Sequence, residues 1–218
     1  MIFTKGEMLC FNSVLDSQEI PGVALKAPLP SEYDKYIIEV LKSLRKKGLT
    51  EDDGKLSKLA ALPIMTLEDY KKAKKRLYLN DLRISFNYDK SITLIKKAGE
   101  DFELTRLPRE CLLLEILKQC EYLKGAQDSD EIREEPETFE FSEWEQTITD
   151  VHTENIIAVK STDGEKEQDV CIYYWVGSNG YEYDLEKKER TRRGPRDMRV
   201  AMMERLGINS EGDEKYAW

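Results

Sequence analysis

Residues 82–106 read LRISFNYDKSITLIKKAGEDFELTR. Leu82, Ile84, Phe86 and Tyr88 alternate with Arg83, Ser85 and Asn87, so apolar side chains recur with the period of two that puts them on one side of a pleated strand. Ile92 to Lys96 and Phe102 to Arg106 continue the strand signal, and the turn-forming sets YDKS and AGED separate the three runs. Three short strands joined by tight turns make an antiparallel meander.

On either side of this meander the period changes to that of a helix. Upstream, Thr4 and Glu7 stand at capping-box spacing before a helix bearing Met8, Phe11, Val14 and Leu15, which Pro21, Gly22, Pro28 and Pro30 interrupt. Ser31 opens a second helix with Tyr36, Ile37, Val40, Leu41 and Leu44 at 3.6-residue spacing. Lys42, Arg45, Lys46 and Lys47 suit its negative C-terminal end, and Gly48 suits a left-handed cap. A short segment, Leu56 to Leu62, stops before Pro63, and Thr66 to Asp69 resembles a capping box for a third helix to about Lys75. Downstream, RECLLLEILKQCEYL reads as a well-buried helix.

Residues 125–145 hold nine acids against one base, Arg133, and the part at 125–137 reads as an exposed acidic linker. Ser142 and Glu145 then suit the start of a helix around Trp144. Ile156 to Lys160, Val170 to Val176 and Tyr181 to Leu185 read as a second meander with turns at Asp163-Gly164 and Gly177–Gly180. Pro195 opens a last helix through Leu206, stopped by Gly207, and a polar tail follows. Residues 66–123 and 142–206 therefore share the order helix, meander, helix, without sequence identity between them. The expected fold is α+β, a single domain over 1–218, with a central antiparallel sheet from two pseudo-repeated meanders and flanking helices.

The chain has 218 residues, 40% hydrophobic and 35% charged, which suits a folded, highly charged protein with a sizeable core. A net charge of −9 argues against a general nucleic-acid or anionic-membrane binder. No apolar run is long enough to span a bilayer, and the first residues lack the pattern of a signal peptide. Cys10, Cys111, Cys120 and Cys171 are scattered, with no CxxC pair, as expected of a cytosolic, reduced protein.

Chemical motifs are scarce. KKGLTEDDGKLS, residues 46–57, has the acids and glycine of a calcium loop, but placing Gly54 at the sixth position puts Leu49 first and Ala60 twelfth, where oxygen ligands are needed. The same stretch makes sense as a helix stop at Gly48, an inward Leu49 and a turn at Asp53-Gly54. His152 is the single histidine, placed at an expected helix end, and no cysteine cluster could complete a zinc site. GSNG at 177–180 lies between two strands and is a hairpin turn, not a phosphate loop. No catalytic residue, metal or cofactor is expected, and the residues favour a binding protein over an enzyme.

Two features suit partner binding. Met198, Met202 and Leu206 line one face of the last helix, with Met203 beside them; methionine makes adaptable contact surface, though that face reads first as core. The neighbouring Arg190, Arg192, Arg193, Arg196 and Arg199 could meet an acidic partner, solvent or the chain's own acidic segment. The tip of the first hairpin, with Tyr88 and Lys90, is the second feature, and it reads at least as well as an ordinary turn.

The segments TKGEMLCFNSVLDSQEIPGV and VLKSLRKKGLTEDDGKLSKLAAL, followed by a helix and a meander, resemble the N-terminal half of EspG-like chaperones of type VII (ESX) secretion systems and related proteins of Gram-positive type VII loci. The second half matches only in the order of its elements. The resemblance implies a pseudo-twofold mixed fold with a central antiparallel sheet. It also implies a cytoplasmic, non-enzymatic chaperone or adaptor that keeps a helical secreted substrate, of WXG100/LXG or PE/PPE-like type, soluble and export-competent. Partner contacts would fall near Asn87 to Ser91 and Met198 to Leu206. The alternative is an immunity protein whose acidic surface blocks the cationic site of a secreted toxin.

Overall fold

The computed structural model describes residues 1–124, 134–149, 151, 155–163 and 166–206. Among these residues there are seven α-helices and ten strands. The helices are α1 (Lys5–Leu15), α2 (Tyr33–Lys46), α3 (Ala61–Lys72), α4 (Leu112–Gln119), α5 (Glu121–Lys124), α6 (Phe141–Thr149) and α7 (Pro195–Leu206). The strands are β1 (Ile2–Phe3), β2 (Lys75–Leu79), β3 (Leu82–Phe86), β4 (Ser91–Ala98), β5 (Asp101–Pro108), β6 (Glu137–Thr138), β7 (Ile156–Asp163), β8 (Lys166–Val176), β9 (Asn179–Asp184) and β10 (Glu189–Arg193). They follow the hydrogen-bonded order β1-β5-β4-β3-β2-β7-β8-β9-β10-β6. The fold is α+β, with an antiparallel sheet flanked by helices.

The chain divides into two compact units, residues 1–76 with 81–107, and residues 77–80 with 108–218. The boundary at Leu107/Pro108 places α4 and α5 in the second unit, so the closing helix of the 66–123 segment belongs with the second meander. Of the acidic segment, residues 125–133 lie outside the described residues, as do His152, Gly164 and everything from Gly207 onward.

In the first unit, the Thr4 and Glu7 capping box is formed. Thr4 Oγ1 accepts from Glu7 N at 3.2 Å, and Glu7 Oε2 accepts from Thr4 N at 2.8 Å. Glu7 is fully buried, and Lys47 Nζ lies 2.5 Å from its Oε2 while also donating to Ile2 O at 2.8 Å. One lysine near the end of α2 thus ties β1 and the start of α1 together. Met8 and Phe11 of α1, Val40 and Leu44 of α2, Leu67 and Tyr70 of α3, and Ile95, Phe102 and Leu104 of β4 and β5 make the core. Each fully buried aliphatic side chain contributes about 1.5–3 kcal/mol of transfer free energy.

Gly48 adopts φ 71°, the left-handed cap expected of it, and Leu49 N closes back onto Leu44 O at 2.9 Å. Leu49 is buried. Asp53 Oδ1 accepts from Lys55 N at 3.0 Å, Gly54 N donates to Glu51 O at 3.0 Å and Gly54 takes φ 83°, so the acidic stretch is a turn held by the Asp53 carboxylate and its own backbone.

The third helix differs from the expectation. Thr66 does not cap it; α3 begins five residues earlier, and Thr66 Oγ1 donates to Leu62 O at 2.8 Å from mid-helix. Pro63 does not stop the chain, because it sits in the first turn, where backbone N–H groups have no intrahelical acceptor. The helix also ends at Lys72 and Lys75 starts β2. Arg76 is buried there, with Nε donating to Tyr70 O at 3.3 Å and Nη2 to Lys71 O at 2.5 Å, which accommodates a charged residue in a strand and caps α3 carbonyls.

In the second unit, β7, β8, β9 and β10 pair antiparallel in sequence, and β6 adds to β10 through Glu189↔Thr138 and Arg190↔Glu137. The register puts Tyr173, Glu182 and Thr191 on one face, and Ile172, Tyr174, Tyr181, Tyr183 and Arg190 on the other. Both faces of β8 are covered, as its unbroken apolar run implies. Helix α6 starts at Phe141 rather than after Ser142, because Glu143 supplies the capping carboxylate to Glu140 N at 2.9 Å. The helix expected over RECLLLEILKQCEYL is broken at Cys120 (φ −128°, ψ 100°), and Leu114 remains exposed.

Candidate partner-binding surfaces

The tip between β3 and β4 presents Tyr88 with 91% of its surface exposed. The turn beneath it is firmly braced. Asn87 N donates to Ser91 O at 2.9 Å, and Asp89 Oδ1 accepts from Ser91 N at 3.1 Å and Ser91 Oγ at 2.6 Å. Arg106 Nη2 reaches Asp89 Oδ2 at 2.7 Å, and its Nη1 reaches Asp69 Oδ2 at 2.7 Å. The Ser91 hydroxyl above all, then the Ser91 amide and Arg106, hold the Asp89 carboxyl below its ordinary range. Lys90 takes φ 63°, a left-handed position, and is exposed. Tyr88 and Lys90 are therefore displayed by a rigid turn, which lowers the entropy cost of using them in a contact.

The methionines of α7 are elsewhere. Met198, Met202 and Met203 are 0%, 1% and 9% exposed, so they are core of the second unit and not an open face. A Cβ on Gly180 would fall 2.7 Å from Met198 Cε and 2.6 Å from Tyr122 Oη, which shows how closely α5 and α7 lie on β9. Leu206 is the last residue of α7. Spacing alone did not distinguish core from contact, and burial does.

The arginines of β10 meet the chain's own acids. Arg190 Nε donates to Glu137 Oε1 at 2.7 Å, and its guanidinium lies 3.9 Å from the Phe139 ring centroid. Arg192 Nη1 donates to Glu134 Oε1 at 2.8 Å. The described end of the acidic segment is thus bound to β10 as an added strand. Arg193 and Arg205 both pair with Glu182, Arg205 at 3.0 Å, so α7 is fastened to β9 by a charged network. Cys171 and Tyr173 face the same carboxylate; burial pushes the Cys171 thiol up, which keeps it protonated and unreactive.

Exposed apolar surface is concentrated in the first unit. Of fifteen exposed large apolar side chains among the described residues, twelve belong to it, which makes it the better candidate for contact. In α2 only Val40 and Leu44 are fully covered, while Tyr33, Ile37, Ile38 and Leu41 are exposed by 53%, 38%, 53% and 36%. The sequence reading placed Ile37 and Leu41 on the core face and did not single out Tyr33 or Ile38. The signal was available: an apolar arc from Tyr33 through Leu44 is wider than one packed face requires. At the start of α3, Leu59, Leu62 and Met65 are exposed by 68%, 71% and 57%.

Among the described residues no helix is long and apolar enough to cross a membrane, and no three metal-ligating side chains converge. The molecule is thus an antiparallel α+β scaffold displaying apolar side chains from the helices of its first unit. Residues 1–179 match the model of the family described as Domain of unknown function (DUF5081), and the chain belongs to that family. No curated protein matches it.

Proposed function

We propose that this chain is a cytoplasmic chaperone or adaptor, without catalytic activity, that binds a helical secreted substrate and keeps it soluble and export-competent. The observation that carries the reading is the concentration of exposed apolar side chains on the first unit, within a chain of net charge −9. Exposed apolar surface of this kind suits a protein partner, and the surrounding charge suits a soluble cap over an aggregation-prone helix. The resemblance of residues 4–62 to EspG-like chaperones supports a type VII substrate of WXG100/LXG or PE/PPE type.

The test is co-expression with such a substrate encoded beside this chain. The expected result is a stoichiometric complex and loss of substrate solubility and export when this chain is deleted. Equal solubility and export without it would overturn the reading. Under the immunity alternative the chain would bind a toxic domain and rescue growth; Glu134 and Glu137, already paired with Arg192 and Arg190, are less available for that role.

A further inference from the structure

We propose that the outer edge of β10 is a binding site for an extended acidic peptide, which adds to it as a strand, and that the chain's own residues 134–138 occupy this edge as a displaceable stand-in. The inference lies wholly within the second unit and is independent of the chaperone reading.

The acidic strand is held by little. Glu134 to Thr138 are all exposed, so the segment contributes no buried side chain. All five residues of β10 pair with β9, but among the described residues only Glu189 and Arg190 pair with β6. Carrying that register on would put Glu135 opposite Arg192. It is instead Glu134 N that reaches Arg192 O, at 3.4 Å, so the pairing slips by one residue. Pro136 lies at the slip. Its ring fixes φ at about −65°, whereas antiparallel strands run at about −140°. The pairs Arg190–Glu137 and Arg192–Glu134 use carboxylates on side chains 59% and 55% exposed, and ion pairs of that kind add little. Just beyond the strand, Phe139 is buried edge-on against Tyr183 and anchors the chain, so residues 134–138 can leave the edge while the core stays filled.

The arginines, by contrast, are set in place by groups that would remain. The Arg190 guanidinium lies 3.9 Å from the Phe139 ring centroid and 5.2 Å from that of Tyr181. Arg192 Nη2 donates to Asn179 Oδ1 at 2.6 Å, which leaves Nη1 for a carboxylate. Two residues apart on one strand, the two side chains share a face of the sheet. Guanidinium groups held in this way match carboxylates and lose little freedom on binding them. The chain's own strand shows the chemistry of the occupant: an extended backbone with a carboxylate on each arginine. A proline-free strand that kept register would set acids two residues apart opposite Arg190 and Arg192 and pair along the whole of β10. It would carry an uncharged residue opposite Glu189, where β6 has Thr138.

The probes are synthetic peptides of roughly eight residues, the length of an ordinary strand with its ends. One alternates Glu with Thr, one alternates Lys with Thr, and the third is the Glu peptide with proline in place of a central threonine. Binding to the full chain is read by fluorescence anisotropy and located by amide NMR signals. The Glu peptide should bind at least roughly ten-fold tighter than the Lys peptide at low salt, with the gap narrowing as salt rises. The proline peptide should bind more weakly than its parent. Glu134→Gln with Glu137→Gln should tighten the Glu peptide by roughly three- to ten-fold and leave the melting curve unchanged, because both residues are exposed. As the Glu peptide saturates the wild type, the amide signals of residues 134–138 should move to unstructured positions. Arg192→Glu should weaken the Glu peptide by roughly ten-fold or more. Asn179→Ala, which releases the Arg192 head without removing its charge, should weaken it by a smaller factor, and it decides the matter if Arg192→Glu melts early. Equal binding of the Glu and Lys peptides, or no binding of either to the wild type and the double Gln variant, overturns the proposal. So does binding that leaves the 134–138 signals unmoved, or that ignores the substitutions at Arg192 and Asn179. A double Gln variant that dimerises by light scattering and takes up no peptide also overturns it, since the acidic strand would then be a guard against edge pairing. None of these results bears on whether a secretion substrate binds the first unit, so the chaperone reading stands or falls separately.

Discussion

Gly6→Ala should destabilise the protein, although alanine is the better helix former. Gly6 is the second residue of α1, and a Cβ there would fall 2.4 Å from Val40 Cγ2 and 3.0 Å from Tyr36 Oη of α2. Carbon atoms pack best at about 3.5–4.0 Å, so α1 and α2 would have to part by more than an ångström or the buried Val40 would have to leave its rotamer. Propensity favours alanine by at most about 1 kcal/mol, and overpacking a filled core costs about 1–3 kcal/mol. The net expectation is a loss of about 1–2 kcal/mol, read as a lower urea midpoint by circular dichroism. Val40→Ala removes the obstructing methyl groups and should cost about 1.5 kcal/mol or more by itself. In that background Gly6→Ala should be neutral or stabilising, because the new methyl occupies the vacated space. The cycle isolates the contact. A stabilising Gly6→Ala in the wild type, or the same penalty in both backgrounds, would refute the steric account.

Three further expectations rest on single contacts. Glu7→Gln removes the carboxylate that Lys47 meets inside the first unit; the cost should fall toward the lower end of about 3–5 kcal/mol, since the lysine side chain remains 28% exposed, and an unchanged urea midpoint would contradict it. Met202→Ala should cost about 2–5 kcal/mol in stability as a cavity in the second unit, so loss of substrate binding with unchanged melting would show that α7 is a contact surface after all. Asp89 has a depressed pKa, so its bracing of the hairpin is present above the unfolded value of about 3.9 and is lost as pH falls through the lower folded value. The Ser91 amide shift should follow that transition in an NMR titration; a midpoint at or above about 3.9 would refute it, and Asp89→Asn should abolish it.

The elements legible in the sequence are those whose cause is local. The period-two runs of β3, β4 and β5, the Thr4 and Glu7 box, and the Gly48 stop all appear where residue chemistry alone puts them. The elements missed depend on distant partners. Strand β1 has two residues and exists through its pairing with Glu103 and Phe102, and β6 arises inside an acidic stretch because Arg190 and Glu189 of β10 receive it. Strand β2 was hidden by Lys75 and Arg76, whose charges look solvated until Arg76 is seen to donate to Tyr70 and Lys71 carbonyls. The contact surfaces divide the same way. Tyr88 stood out because a hairpin tip has little to cover it. Met198 and Met202 did not declare themselves, since four-residue spacing is identical for a core ridge and a docking ridge. On α2 the ambiguity is resolved by width. One packed face accommodates Tyr36, Val40, Ser43, Leu44 and the stem of Lys47, all covered to some degree, and these complete what α1 and the sheet need. Tyr33, Ile37 and Leu41 lie at the end and edge of that face and stay 53%, 38% and 36% exposed, and Ile38 lies on the side of the helix away from it. Apolar surface that stays exposed after the fold has used its own share is the surplus that points to a partner.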